Sequence, residues 1–219
     1  MAGFMRCENT GVVFLDIQKA FHRVWVEGLI HKLIKYKIPT PLIHLIAFYL
    51  NKRKFKVKVK NALSDTHTIK EGIPQGWGIS PTLYSLFVND IPKCNKTKLG
   101  LYADDTAILV KNKNYRYVEV TLNRHLALLN DRFLKWKIAI NVDKIEAVFF
   151  AQGRKRHKPN MHINDQATTW SQQAKYLGVT LDSKLTWKIH ITAVKNKFRA
   201  VSRKLYRLLA RNSDLNREI

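Results

Sequence analysis

Between Leu99 and Val110 the chain reads Leu-Gly-Leu-Tyr-Ala-Asp-Asp-Thr-Ala-Ile-Leu-Val, two adjacent acids between two short apolar runs. The pattern predicts strand, tight turn, strand, with the carboxylates of Asp104 and Asp105 displayed at the turn. Like charges so placed repel by roughly 1 kcal/mol at 4 Å in water, and by about 4 kcal/mol at an effective dielectric of 20. A divalent cation would remove that penalty and be held by the same oxygens. A plain solvated turn is the alternative, and residues elsewhere in the chain decide between them.

The 219 residues suffice for one large domain, or one domain with an appendage, and an apolar fraction of 46% permits a packed core. Charge is the unusual total: 39 Lys and Arg against 16 Asp and Glu give a net +23. Such a balance favours a polyanionic partner, nucleic acid first and an anionic membrane surface second. The start, Met1-Ala-Gly-Phe-Met-Arg6, lacks the apolar segment of a secretory signal. The most apolar helical stretch, Pro41 to Leu50, is interrupted by His44 and is too short to span a bilayer. Cys7 and Cys94 have neither metal-ligand spacing nor the look of a disulfide framework. The expectation is an intracellular protein that meets nucleic acid, with no membrane partner.

Val12 to Ile17 is a β-rich apolar run that predicts a buried strand delivering Asp16 near its C-terminal end. Helices are predicted around Leu29, Leu33 and Tyr36, ending before Pro39, and from Pro41 to Leu50. Lys54-Phe-Lys-Val-Lys-Val-Lys60 alternates strictly, predicting one period-2 strand with lysines on one face and Phe55, Val57 and Val59 on the other. Gly72 to Gly76 reads as a loop, and Ser80-Pro81 as an N-cap and first helical residue. Val118, Leu122, Leu126, Leu129, Phe133 and Trp136 mark the core stripe of a long helix from about Tyr115 to Trp136. Ile138–Asn141, Ala147–Ala151 and Tyr176–Leu181 suggest strands, Arg154–Lys158 an exposed basic turn, and Thr186–Ala210 a basic amphipathic helix with Ile189, Val194, Phe198 and Leu205. Strands and helices mix without regular alternation, so the fold class expected is α+β, an antiparallel sheet backed by helices.

Three segments carry a family likeness. Phe14-Leu-Asp-Ile-Gln-Lys-Ala-Phe21 resembles the first catalytic motif of reverse transcriptases, Gly72-Ile-Pro-Gln-Gly-Trp-Gly-Ile-Ser-Pro81 the second, and Tyr102-Ala-Asp-Asp105 the third, in the same order. Trp136 to Lys144, Lys175 to Asp182 and Leu185 to His190 resemble the segments that follow in jockey-like non-LTR retrotransposon enzymes. The resemblance runs from about Gly11 to His190. It implies an RNA-directed DNA polymerase whose palm carries a two-metal centre, with RNA template, DNA primer and deoxynucleoside triphosphates as partners.

Two-metal phosphoryl transfer explains the residue types. Two Mg2+ ions about 3.5–4 Å apart clamp the attacking and leaving oxygens, and Mg2+ takes one or two carboxylates together with substrate phosphates and water. By resemblance Asp16 and Asp104 bridge the metals, the backbone carbonyl of Ile17 assists, Asp105 is more peripheral, and Mn2+ can substitute. Phe21 matches the aromatic gate under the sugar that selects against a 2′-hydroxyl; core packing is its other reading. Gln75 and Gly76 match the loop that contacts the incoming nucleotide. Lys144 matches a lysine near the leaving pyrophosphate, or is an ordinary surface lysine. Tyr176, Leu177 and Gly178 match the hairpin that supports the primer end, with Leu177 alternatively a core residue. Lys54, Lys56, Lys58 and Lys60 form a row suited to phosphates, or a solvated edge that discourages strand pairing.

The pattern departs from the family at three positions. His22 stands where the motif usually has Asp, Trp77 where non-LTR enzymes usually have a small residue, and Ile145 where Thr commonly follows the lysine. Fifteen residues precede Asp16, so the fingers are expected to be incomplete and the endonuclease of such polyproteins to lie outside the chain. The expected division is a palm with partial fingers over 1–153, a primer-grip-like hairpin and connector over 154–190, and the start of a helical thumb over 191–219. A catalytically silent nucleic-acid-binding remnant is the alternative function, and a metal-dependent nuclease a distant third. The family's use of chromosomal DNA implies a nuclear place of work.

Overall fold

The computed structural model describes residues 8–151, 161–163 and 166–209. The basic cluster Arg154–Lys158 lies outside the described residues. At the centre is a four-stranded sheet in the order β6-β7-β1-β8, made of β1 (Asn9–Asp16), β6 (Lys98–Tyr102), β7 (Asp105–Asn112) and β8 (Glu146–Phe150). Every neighbouring pair is antiparallel.

The two-residue period of β1 divides the molecule. Val13, Leu15 and Ile17 face one core, shared with Ile108 and Val110 of β7 and Ala147 and Phe149 of β8. Helices α1 (Val26–Lys35), α2 (Thr40–Leu50), α3 (Ser80–Val88) and α4 (Tyr115–Lys135) complete that core. The α4 stripe Val118, Leu122, Leu126, Leu129 and Phe133 is buried as its spacing predicts, with Trp136 half-buried just past the helix. Strands β9 (Met161–Ile163) and β10 (Gln166–Thr168) form a separate antiparallel pair. On the opposite face of the four-stranded sheet Val12, Phe14, Val148 and Phe150 pack under a hairpin of β11 (Gln173–Tyr176) and β12 (Val179–Asp182) through Ala174, Tyr176 and Leu181. Each such side chain taken fully out of water contributes about 1.5–3 kcal/mol.

Four local expectations change. The Lys54–Lys60 run is interrupted: β2 (Arg53–Phe55) pairs with β5 (His67–Ile69), and β3 (Lys58–Val59) with β4 (Ala62–Leu63). At the break the Val57 N–H donates to Ser64 Oγ at 2.9 Å. Phe55, Val57 and Val59 are exposed, because a two-stranded ribbon with no layer beneath cannot bury its apolar side. Ser80 is already inside α3, and its hydroxyl donates to the Pro74 carbonyl at 2.5 Å instead of capping. Ile138–Asn141 contributes a single bridge, Ile140 to Ile17. Tyr176–Leu181 is a hairpin turn and not one strand: Leu177 (φ +48°) and Gly178 (φ +79°) reverse the chain, leaving Leu177 exposed rather than in the core.

Asp182 carries the chain from β12 into α5 (Lys188–Leu209). Its carboxylate accepts from the N–H groups of Lys184, Thr186 and Trp187 and from the Thr186 hydroxyl, at 3.0–3.1 Å. Burial alone would raise its pKa, but these donors hold it below the usual carboxylate range. In α5, Ile189, Val194, Phe198 and Leu205 are exposed.

A buried charge cluster joins α1, α3 and α4. Lys32 is fully buried, donates to the Phe87 carbonyl, pairs with Asp90 at 2.6 Å and lies 3.9 Å over the Trp136 ring. Arg132 also pairs with Asp90 and lies 4.0 Å from the centre of the Trp136 ring. Burial, with Arg132 nearby, brings the Lys32 ammonium down to about 8 despite Asp90. Between pH 8 and the ordinary value of 10.5 the unfolded chain holds this proton and the folded chain does not, so stability rises with pH there. Urea unfolding is expected to show that rise in the wild type and to lack it in Lys32→Met. Asp90→Ala, which strands a buried ammonium, is expected to cost about 3–5 kcal/mol.

Candidate active site

Asp16 is the last residue of β1, where the strand is held from both sides. The Ile17 N–H donates to the Asp104 carbonyl at 3.2 Å, and the Asn141 N–H to the Asp16 carbonyl at 2.9 Å. The Ile17–Asp104 bond makes Asp16 and Asp105 a non-hydrogen-bonded cross-strand pair. Such pairs have Cα atoms about 4.5 Å apart and their side chains on one face. Tyr102 also faces Asp105 across the β6–β7 hairpin, so Ala103 and Asp104 form a two-residue turn. Ala103 takes φ +52°, the positive value that short hairpin turns demand of a central residue. Three carboxylates are therefore gathered at one end of the sheet.

Their electrostatics are those of a crowded acid cluster. The Asp105 carboxyl is raised, first by burial and then by the charges of Asp104 and Asp16, with Lys144 opposing. Lys144 ends a 3-10 turn (Val142–Lys144) and places Nζ 3.1 Å from Asp16 Oδ2. A cavity of about 320 Å3 opens here, lined by Asp16, Asp105, Asp143, Lys144, Glu146, Lys175 and Tyr176 beside Phe14 and Leu15. Tyr176 stacks on Phe14 with ring centres 4.9 Å apart, and burial together with the Asp105 charge raises its phenol. Among the described residues no group of three or more His, Cys, Asp or Glu side chains is gathered as a ready metal cage. The donors are nevertheless carboxylate oxygens whose mutual repulsion a hard cation would relieve, and Mg2+ needs only one or two of them. The residues fit that ion.

The second motif is fastened to the first through the backbone. The Ile73 N–H donates to the Phe21 carbonyl at 2.7 Å and the Gly72 N–H to the Val24 carbonyl at 2.8 Å. Gly72 has φ +82°, and a Cβ there would sit 2.5 Å from the His22 carbonyl oxygen, so no other residue fits. Arg53 donates to the Glu71 and Gly72 carbonyls from the other side. Gln75 and Gly76 are exposed, and the space around the Gly76 α-carbon is open. The Phe21 ring is half-buried against Tyr84, centres 5.0 Å apart, so it combines core packing with a partly open edge. Trp77 stacks on Tyr49 of α2 at 3.9 Å, which accommodates its bulk; His22 is exposed, and Ile145 packs on the main core.

The Tyr176-Leu177-Gly178 turn stands over the sheet face that carries Asp16, anchored by Tyr176 on Phe14. Lys54, Lys56, Lys58 and Lys60 are exposed on the separate ribbon and do not line the cavity. Two residues of the site carry no motif signal. Tyr84 lies under Phe21; its buried hydroxyl has no partner among the described residues and is raised by burial and by Asp104. Glu146 accepts the Lys175 N–H at 2.7 Å. A period-2 reading of Glu146-Ala-Val-Phe-Phe150 would have put Glu146 on the Asp16 face, but only the register shows it beside Phe14.

An antiparallel sheet backed by helices, with a strand-end acid opposite a two-acid hairpin, defines a polymerase palm-like class. The family model described as reverse transcriptase (RNA-dependent DNA polymerase) matches residues 5–181, and the chain belongs to that family. It is 36% identical to the RNA-directed DNA polymerase from mobile element jockey of Drosophila funebris, over 95% of this chain and 24% of that protein. The probable RNA-directed DNA polymerase from transposon X-element of Drosophila melanogaster is 34% identical, over 95% of this chain and 23% of that protein. The chain thus spans about a quarter of the length of these relatives. Among solved structures it is similar to apo telomerase from Candida tropicalis truncated from the C-terminal domain, with TM-score 0.56 and 15% identity. That likeness covers 82% of this chain and 35% of the other, and concerns the fold.

Because the fold holds Asp105 above its usual pKa, the ionised cluster opposes folding at neutral pH, and stability should recover as pH falls through the raised value. Asp105→Asn is expected to stabilise the metal-free protein at pH 7 by up to about 1 kcal/mol, a modest figure because the cluster is open to water. Thermal unfolding in a chelator at pH 7 checks the sign.

Proposed function

We propose that this chain carries the palm centre of an RNA-directed DNA polymerase that joins a deoxynucleotide to a primer 3′-hydroxyl on an RNA template. The observation that supports it most directly is the opposition of Asp16 to the Ala103–Asp104 turn and Asp105. Asp16 and Asp104 would hold two Mg2+ ions, with Asp105 and the Ile17 carbonyl assisting. Bound there, the metals neutralise charge on the attacking and leaving oxygens.

The chain's own residues would do the rest. Phe21, backed by Tyr84, would present its ring edge where a 2′-hydroxyl would clash. Gln75 and Gly76 would let backbone approach the incoming nucleotide. Lys144, paired with Asp16 in the free protein, would turn its ammonium to the pyrophosphate. The Tyr176–Gly178 turn would support the primer terminus, and α5 would begin the thumb. The ribbon lysines and the +23 charge would hold nucleic-acid backbone. No helix among the described residues is long and apolar enough to cross a membrane.

Single-nucleotide incorporation on a primed RNA template with Mg2+ tests the reading. Asp16→Asn and Asp104→Asn are each expected to lower it by at least about a hundredfold, the scale of losing one transition-state stabilising group. Equal extension by wild type and both variants would refute it. Tight, salt-sensitive primer–template binding without incorporation by wild type would instead assign the chain to nucleic-acid binding alone.

A further inference from the structure

Glu146 opens β8 opposite Phe14, two residues before Asp16 on the same strand of the register, and lies on the sheet face that the β11–β12 hairpin covers. Its carboxylate does not remain on the sheet. Oε2 accepts the backbone N–H of Lys175 at 2.7 Å, a charge-assisted bond at ordinary length. Lys175 precedes Tyr176 in β11 and faces Thr180 of β12.

Apolar packing of Ala174, Tyr176 and Leu181 seats the hairpin on the sheet, but such contact is non-directional. It forms its own two-stranded sheet, and just before it the Ser171 N–H donates to the Ala147 carbonyl at 2.7 Å in an isolated bridge to β8. Four residues beyond Ser171, the Glu146 side chain makes a second polar link from β8, to the Lys175 N–H. Tyr176 on Phe14 adds an apolar contact, which limits separation but permits sliding. The tether therefore acts next to the turn that faces Asp16 and Asp105.

We propose that Glu146 is a positioning residue: its carboxylate locks the Lys175 amide and so sets the Tyr176–Gly178 turn over the acid cluster, where it meets the primer terminus. This rests on the reading of that turn as primer support. A carboxylate oxygen is required only as an acceptor, so glutamine should serve and alanine should not.

The test compares wild type, Glu146→Ala and Glu146→Gln by amide hydrogen exchange at Lys175 and by the Kd for primer–template, both without divalent metal. Neither measurement needs turnover, so both stand even if the chain proves unable to incorporate nucleotide. Glu146→Ala is expected to speed exchange at Lys175 and raise Kd, each by about tenfold, the factor equivalent to losing ~1.4 kcal/mol. Glu146→Gln is expected to bring both to within about threefold of wild type. Unchanged exchange in the alanine variant overturns the tether, and faster exchange with unchanged Kd overturns its role toward the primer. Glutamine as damaging as alanine also overturns the proposal, since it would mean that charge and not hydrogen bonding matters.

Discussion

Strand β1 is the constraint on which the rest depends. It is central in the sheet, paired along its length with β7 and over five residues with β8, and both of its faces are buried. A one-residue slip would exchange Val13 and Leu15 for Val12 and Phe14 between the two cores and carry Asp16 to the helix side. The register is therefore fixed by hydrophobic burial on two faces, and Asp16 inherits a position specified far more strongly than its own interactions could provide. Asp105, on the neighbouring strand, inherits its place from the same register.

That economy explains how a repulsive site is tolerated. Burial first, and then the neighbouring charges of Asp104 and Asp16, raise the Asp105 carboxyl. The surrounding sheet absorbs the cost because the apolar contacts of Val13, Ile108, Val110 and Ala147 are wholly buried. Lys144 compensates one acid through a partly exposed ion pair, which water screens and weakens. The Lys32–Asp90–Arg132 cluster is the opposite case, with charges buried where the helices meet and matched to one another and to Trp136.

The second motif shows how a loop can be held without regular structure. Gly72 against the His22 backbone, Ile73 on Phe21, Arg53 on the loop carbonyls, Ser80 on Pro74 and Trp77 on Tyr49 fasten it at five points. What is left open is Gln75–Gly76. The Ile73 N–H on the Phe21 carbonyl ties Phe21 to the same loop.

Local pattern in the amino-acid chain was enough for the elements with a strong period: the buried run before Asp16, the α4 stripe, the two-acid hairpin and the α+β class. These are legible because periodic burial writes itself into neighbouring residues. The Lys54–Lys60 alternation misled, since period 2 states which residues share a face but not whether anything covers it. Tyr176–Leu181 misled for a different reason: its turn uses Leu177 at positive φ, which composition does not announce. Only tertiary structure decided that Asp16 lies opposite Asp105, that Lys144 reaches Asp16 and that Glu146 holds Lys175. Those pairs are 89, 128 and 29 residues apart in the chain, and nothing local to either partner encodes a distance that strand register and chain reversal alone create.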